Sequence, residues 1–104
     1  MGNYVMLKRV TIMKENPNCK KVKGSYMLLI SCGFCKTQLV KYQKLGKGGL
    51  LRMHIDRIVE SSVDLTQDLT CSNCHNIIGS KVILKSSNKP AYKMTRSSFN
   101  TKKI

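Results

Sequence analysis

The chain has no tryptophan and only six aromatic residues: Tyr4, Tyr26, Phe34, Tyr42, Tyr92 and Phe99. That leaves little material for a three-walled aromatic cage. Carboxylates are scarcer still. Glu15, Asp56, Glu60, Asp64 and Asp68 are the five in 104 residues, and four of them fall between Asp56 and Asp68. An enzyme needs an acid, a base or a nucleophile within reach of a substrate, and so thin a supply argues against catalysis; no catalytic residue is expected. No apolar run approaches the ~20 residues of a membrane-spanning helix. The opening "MGNYVMLKRVTIM" has neither a long apolar core nor a small-residue cleavage site, so no secretory signal is expected. Met6 stands where a myristoylation signal has Ser or Thr. These absences place the expected location in the cytoplasm, where thiols stay reduced.

What is present in excess is positive charge. Nineteen Lys and Arg against five acids give +14. Such a field draws polyanions from a distance. The plainer alternative is composition, with Lys, Asn, Ile and Ser all abundant and the lysines merely solvating a surface. With 41% apolar residues the chain is expected to form one domain over residues 1–104, with a frayed basic tail from about residue 97. A core this small gives marginal stability, and a metal would help to staple it.

Five cysteines occur, and four form two identical pairs: Cys32-Gly-Phe-Cys35 and Cys71-Ser-Asn-Cys74, with 35 residues between them. Two intervening residues let both sulfurs of a pair turn to one point while backbone N–H groups aim at them. Two such knuckles supply four thiolates, the donor set of a structural Zn²⁺ site. The expectation is one structural zinc on Cys32, Cys35, Cys71 and Cys74, with Phe34 shielding the sulfurs and Lys36 offsetting local negative charge. An iron–sulfur cluster also takes four cysteines. A redox C-x-x-C pair ordinarily opens a helix in a thioredoxin-like unit, and two disulfides do not suit the compartment. His75 follows Cys74 directly and is expected to point away. Cys19 stands alone in a Lys-rich turn and reads as a bystander, and His54 as a packed or surface histidine.

The rest of the chain reads as short strands. "YVMLKRVTIM" (Tyr4–Met13), "SYMLLISC" and "TQLVKYQKL" carry apolar and β-branched residues. Asn16-Pro17-Asn18 marks a turn, and "GKGG" at Gly46–Gly49 a tight flexible one. Leu50 to about Ile55 reads as a strand followed by a turn or short helical piece, although Leu50, Leu51, Ile55, Ile58 and Val59 could also share a helical face. "NIIGSKVILKS" is a strand with a bulge at Gly79, and "PAYKMTR" a last strand with Pro90 at its start or on an edge. The fold class is mostly β: a small zinc-pinned antiparallel domain, with a zinc ribbon as the alternative.

From Ser25 to Phe99, the order strand, knuckle, hairpin, knuckle, strands resembles the β-tent zinc proteins. "CSNCHNIIGSKVILKSSNKPAYKM" carries the likeness best. That group includes the Yippee proteins, the thalidomide-binding domain of cereblon, type B methionine sulfoxide reductases and the RNA-binding C-terminal domain of innate immune helicases. The segment Lys41–Arg52 also resembles the "KYxKxGKGxLLR" stretch of small uncharacterised bacterial zinc proteins. The resemblance implies two small antiparallel sheets pinned by zinc on two C-x-x-C knuckles. It does not carry over reductase activity, because "AYKMTRSSF" holds no cysteine.

Two basic clusters are candidate binding surfaces. Lys36, Lys41, Lys44, Lys47 and Arg52 gather about the glycine turn, with Tyr42 among them. Lysines contact phosphates, glycine lets a strand approach, and a tyrosine can stack on a base. Lys41, Tyr42, Lys44, Lys47 and Arg52 are therefore the expected nucleic-acid site, for RNA sooner than DNA. Lys81, Lys85, Lys89, Lys93 and Arg96 form the second cluster, Lys81 and Lys85 on one strand face by parity. The competing function is a protein-interaction or accessory module with structural zinc. No membrane partner is expected.

Overall fold

The computed structural model describes residues 12–104. Within them, nine strands form two antiparallel sheets with one 3-10 turn and no α-helix. The strands are β1 (Lys14–Glu15), β2 (Tyr26–Cys32), β3 (Gln38–Lys44), β4 (Arg52–His54), β5 (Ile58–Ser61), β6 (Leu69–Thr70), β7 (Ile77–Ile83), β8 (Pro90–Met94) and β9 (Phe99–Lys103). The larger sheet runs β9-β2-β3-β5-β1 and the smaller β4-β8-β7-β6. The domain is thus mostly β, as expected. The strand expected at Tyr4–Met13 lies almost wholly outside the described residues.

Alternation explains the inner face of β2, where Leu28, Ile30 and Cys32 are buried and successive side chains point to opposite faces. In β3 the alternation breaks, since both Leu39 and Val40 are fully buried. The ladder shows why: Ile30 pairs with Val40 but Ser31 pairs with Gln38, so Leu39 is an extra, bulged residue. A second bulge makes Val59 extra in β5, between partners Lys41–Glu60 and Tyr42–Ile58. A third sits in β7, where Leu69 pairs with Gly79 and Thr70 with Ile77, leaving Ile78 extra. The bulge expected at Gly79 is therefore one residue earlier. Pro90 opens β8, an interior strand, at the position where its missing N–H costs least.

One core joins the sheets. Ile30, Leu39, Val40, Tyr42 and Ile58 from the larger meet Met53, Leu69, Ile78 and Tyr92 from the smaller. Each large side chain so buried contributes about 1.5–3 kcal/mol of transfer free energy.

Three expectations need correction. The strand drawn from Leu50 to Ile55 is only Arg52–His54, and the chain turns through 3-10 at Ile55–Arg57. It then re-enters the larger sheet as β5, a strand that the mixed periodicity of this segment hid. The tail does not fray. Phe99–Lys103 pairs with Cys32–Leu28 as edge strand β9, and the Lys103 ammonium sits 4.7 Å from the Tyr26 ring centre. Lys85 does not extend the Lys81 face, because β7 ends at Ile83 and Lys85 lies in the turn.

Candidate metal centre

Each knuckle is the tip of a hairpin. The first joins β2 to β3 and the second joins β6 to β7, so one comes from each sheet. The two are built alike. Lys36 N–H donates to Cys32 O at 2.9 Å, and His75 N–H to Cys71 O at 2.9 Å. Cys32 N–H donates to Thr37 O at 2.8 Å, and Cys71 N–H to Asn76 O at 3.0 Å. Both tips close through a left-handed residue, Lys36 at φ 68° and His75 at φ 64°. Such residues tolerate this region only where the surrounding structure holds them there. This conformation explains why His75, beside a cysteine, is exposed and is not one of the clustered residues.

The four sulfurs of Cys32, Cys35, Cys71 and Cys74 all lie within 4.8 Å of one another. Cys32 Sγ is 3.5 Å from Cys74 Sγ, and Cys35 Sγ is 3.5 Å from Cys71 Sγ. None is disulfide-bonded. A tetrahedral site with metal–sulfur bonds of ~2.3 Å has sulfur–sulfur edges of roughly 3.8 Å, close to these spacings. The cluster can therefore hold one metal ion, and it draws a pair of ligands from each sheet. Cys19 lies outside it.

A shell of donors surrounds the sulfurs. The Thr37 hydroxyl is 3.1 Å from Cys35 Sγ, and Asn76 Nδ2 donates to Cys74 Sγ at 3.2 Å. Phe34 N–H donates to Cys32 Sγ at 3.4 Å. Hydrogen bonds from Thr37 and then Asn73 pull the Cys35 thiol down to about 5. Backbone and side-chain donors of Asn76 lower Cys74. Burial instead pushes Cys32 up to about 11, against backbone donors that lower it. In both knuckles the residue two places after the second cysteine supplies the side-chain donor. That C-x-x-C-x-Thr and C-x-x-C-x-Asn signal was legible in the sequence and was missed. Judged by exposure, the expected shielding by Phe34 is weak at most. The residue is 60% exposed at the tip of the first knuckle.

The basic residues are dispersed rather than gathered. Lys41 is salt-bridged to Glu60 at 3.4 Å. Tyr42 cannot stack on a base: it is 2% exposed, paired with Leu28 and Ile58 on the core face, and its hydroxyl accepts from His54 N–H at 2.9 Å. Lys44 is 9% exposed and donates to Leu45 O at 2.9 Å and Gly46 O at 3.4 Å. Of the five expected contacts only Lys47 and Arg52 are exposed. Gly46 and Gly48 have positive φ, so the glycine turn itself is as expected. Lys89 pairs with Asp56 at 3.6 Å, and the Lys81 ammonium donates to Thr66 O at 3.3 Å.

The two basic clusters nevertheless meet at one place. Arg52 of β4 is the ladder partner of Lys93 of β8, and both are exposed. Arg96 lines a separate cleft, with Gly49, Leu50, Leu51 and Met94, that includes neither of them. Like charges directly opposite across a ladder are destabilising, so this pair is not explained by stability.

Comparison with family models, with curated proteins and with solved structures gave no match to this chain. No helix among the described residues is long and apolar enough to cross a membrane.

Proposed function

We propose that the four cysteines hold one structural zinc ion and that the protein is a non-catalytic module that binds nucleic acid, RNA in particular. Four soft thiolates at near-tetrahedral spacing suit Zn²⁺. Its role is to fasten the two sheets together. The likeness to the β-tent proteins belongs to this proposal. Two antiparallel sheets joined at their hairpin tips by two knuckles support it.

The observation that carries the binding reading is the Arg52–Lys93 pair, exposed and without a carboxylate partner among the described residues. A phosphate chain would relieve the repulsion that the ladder imposes. Tyr42 has no part in this surface.

Binding of an RNA oligomer measured across salt concentrations tests this. Each lost phosphate contact should lower the salt slope by about one unit. Arg52→Gln with Lys93→Gln should lower it by roughly two. Lys23→Gln with Lys102→Gln, at exposed sites elsewhere, should weaken binding far less. If the two double variants prove interchangeable, this face is not a site. A protein partner is then the better reading, favoured by Phe34 and Ile77, both exposed beside the knuckles.

A further inference from the structure

All five carboxylates lie among the described residues, and the first eleven residues hold none. Their commitments are fixed. Glu60 pairs with Lys41 and Asp56 with Lys89. Asp64 accepts from the Thr66 backbone and hydroxyl, and Asp68 from the Lys81 backbone N–H. Glu15 is exposed on edge strand β1, opposite Glu60.

Between the two sheets opens a cleft of about 350 Å³. Tyr42 and Lys44 of β3, Arg52 and His54 of β4, Arg57 of the 3-10 turn and Gly49 lie on its wall, and no carboxylate does. Two of its groups are buried and incompletely answered. Lys44 has only neutral carbonyls as partners, whereas a buried ammonium is ordinarily paired with an anion. The Tyr42 hydroxyl accepts from His54 N–H and from the Arg57 side chain, but no protein atom among the described residues is seen accepting its proton. Buried donors are nearly always satisfied. Neither ion pair of the described residues includes Lys44, Arg52 or Arg57. Burial, with the charges of Arg57, Lys89 and Arg52, holds His54 below its ordinary value, and Asp56 only partly opposes them.

We infer that this cleft binds a phosphoryl group. Arg52 and Arg57 supply guanidinium forks matched to its oxygens, and Lys44 and the Tyr42 hydroxyl supply donors from the buried side. Three permanent cations suit a dianion better than a carboxylate. The inference does not rest on the nucleic-acid reading, although Arg52 is common to both. Lys93 belongs only to the exposed face, and Lys44, Arg57 and Tyr42 only to the cleft.

Calorimetric titration of the metal-loaded full chain with inorganic pyrophosphate tests it. Pyrophosphate should bind, and acetate at equal concentration should not displace it. Arg57→Gln should weaken binding by about tenfold or more, the usual loss of a hydrogen bond to a charged group. Tyr42→Phe, which removes only the hydroxyl, should also weaken it, while Lys93→Gln should leave it unchanged. Displacement of bound pyrophosphate by an RNA oligomer would identify a strand as the phosphoryl source. Displacement by a mononucleotide alone would identify a small ligand. Failure of pyrophosphate to bind at millimolar concentration overturns the site. So does equal weakening by Arg57→Gln and Lys93→Gln in variants whose amide spectra remain dispersed.

Discussion

Single residues set how well the cysteine cluster would hold a metal. Thr37 and Asn76 stand at equivalent places in the two knuckles and reach the sulfurs of Cys35 and Cys74. Outer-shell partners of this kind are worth about 10–100-fold in metal affinity. Thr37→Val and Asn76→Ala should each lower zinc affinity by that order in a competition titration, with the fold kept. Cys19→Ser should keep full metal content, since the thiol faces Gln43 Nε2 at 3.3 Å and burial raises its pKa. His54 offers a pH readout. Its folded value lies below the ordinary 6.5, because burial and neighbouring cations disfavour the charged form. The unfolded chain therefore binds the proton more readily. The stability His54 contributes is present above about pH 6.5 and is lost as pH falls through its folded value. His54→Gln should flatten the acid limb of the stability curve relative to wild type. An unchanged limb would contradict this. At this scale the clustering of the four cysteines was legible from spacing. Tyr42 and Lys44 were not, because parity places a residue on a face but does not say which face the core will claim.

At the scale of elements, the strands with clear alternation were legible and those defined by their neighbours were not. "YMLLISC" and "IIGSKVI" announced β2 and β7. By contrast, β6 is two residues long and β9 is "FNTKK", and nothing local marks either as a strand. Lysines on an edge strand are what keeps such an edge from pairing with other chains, so the composition that suggested a frayed tail also suits the edge it forms. Beyond its ladder with β2, β9 is tied at its start to the knuckle. Gly33 N–H donates to Ser98 O at 2.8 Å, and a Cβ on Gly33 would lie 3.0 Å from the Ser98 carbonyl carbon and oxygen. Backbone cannot yield there as a flexible side chain would. Gly33→Ala should cost about 1–3 kcal/mol, as overpacking does. It should also raise amide exchange along Phe99–Lys103 more than along β7. Equal exchange in both strands would show that the tail is held by something else.

Across the whole molecule, the four cysteines lie where a bound metal would fasten the two sheets together. Each sheet has its own hairpin tip, the tips meet at four sulfurs, and the core joins Tyr42 and Ile58 to Met53 and Tyr92. A core of this size leaves little stability to spare, and binding free energy at a structural zinc site is largely folding free energy. Cys71→Ser should therefore leave the chain poorly folded rather than merely metal-free. The measurement that bears most directly on this is a chelator titration of the zinc-loaded full chain, following released zinc and tertiary structure together. The account predicts that one equivalent of zinc leaves per chain and that both sheets lose their tertiary signals in the same step. Release of iron or of no metal, or a metal-free chain that keeps the same tertiary signals and melts at the same temperature, would contradict it.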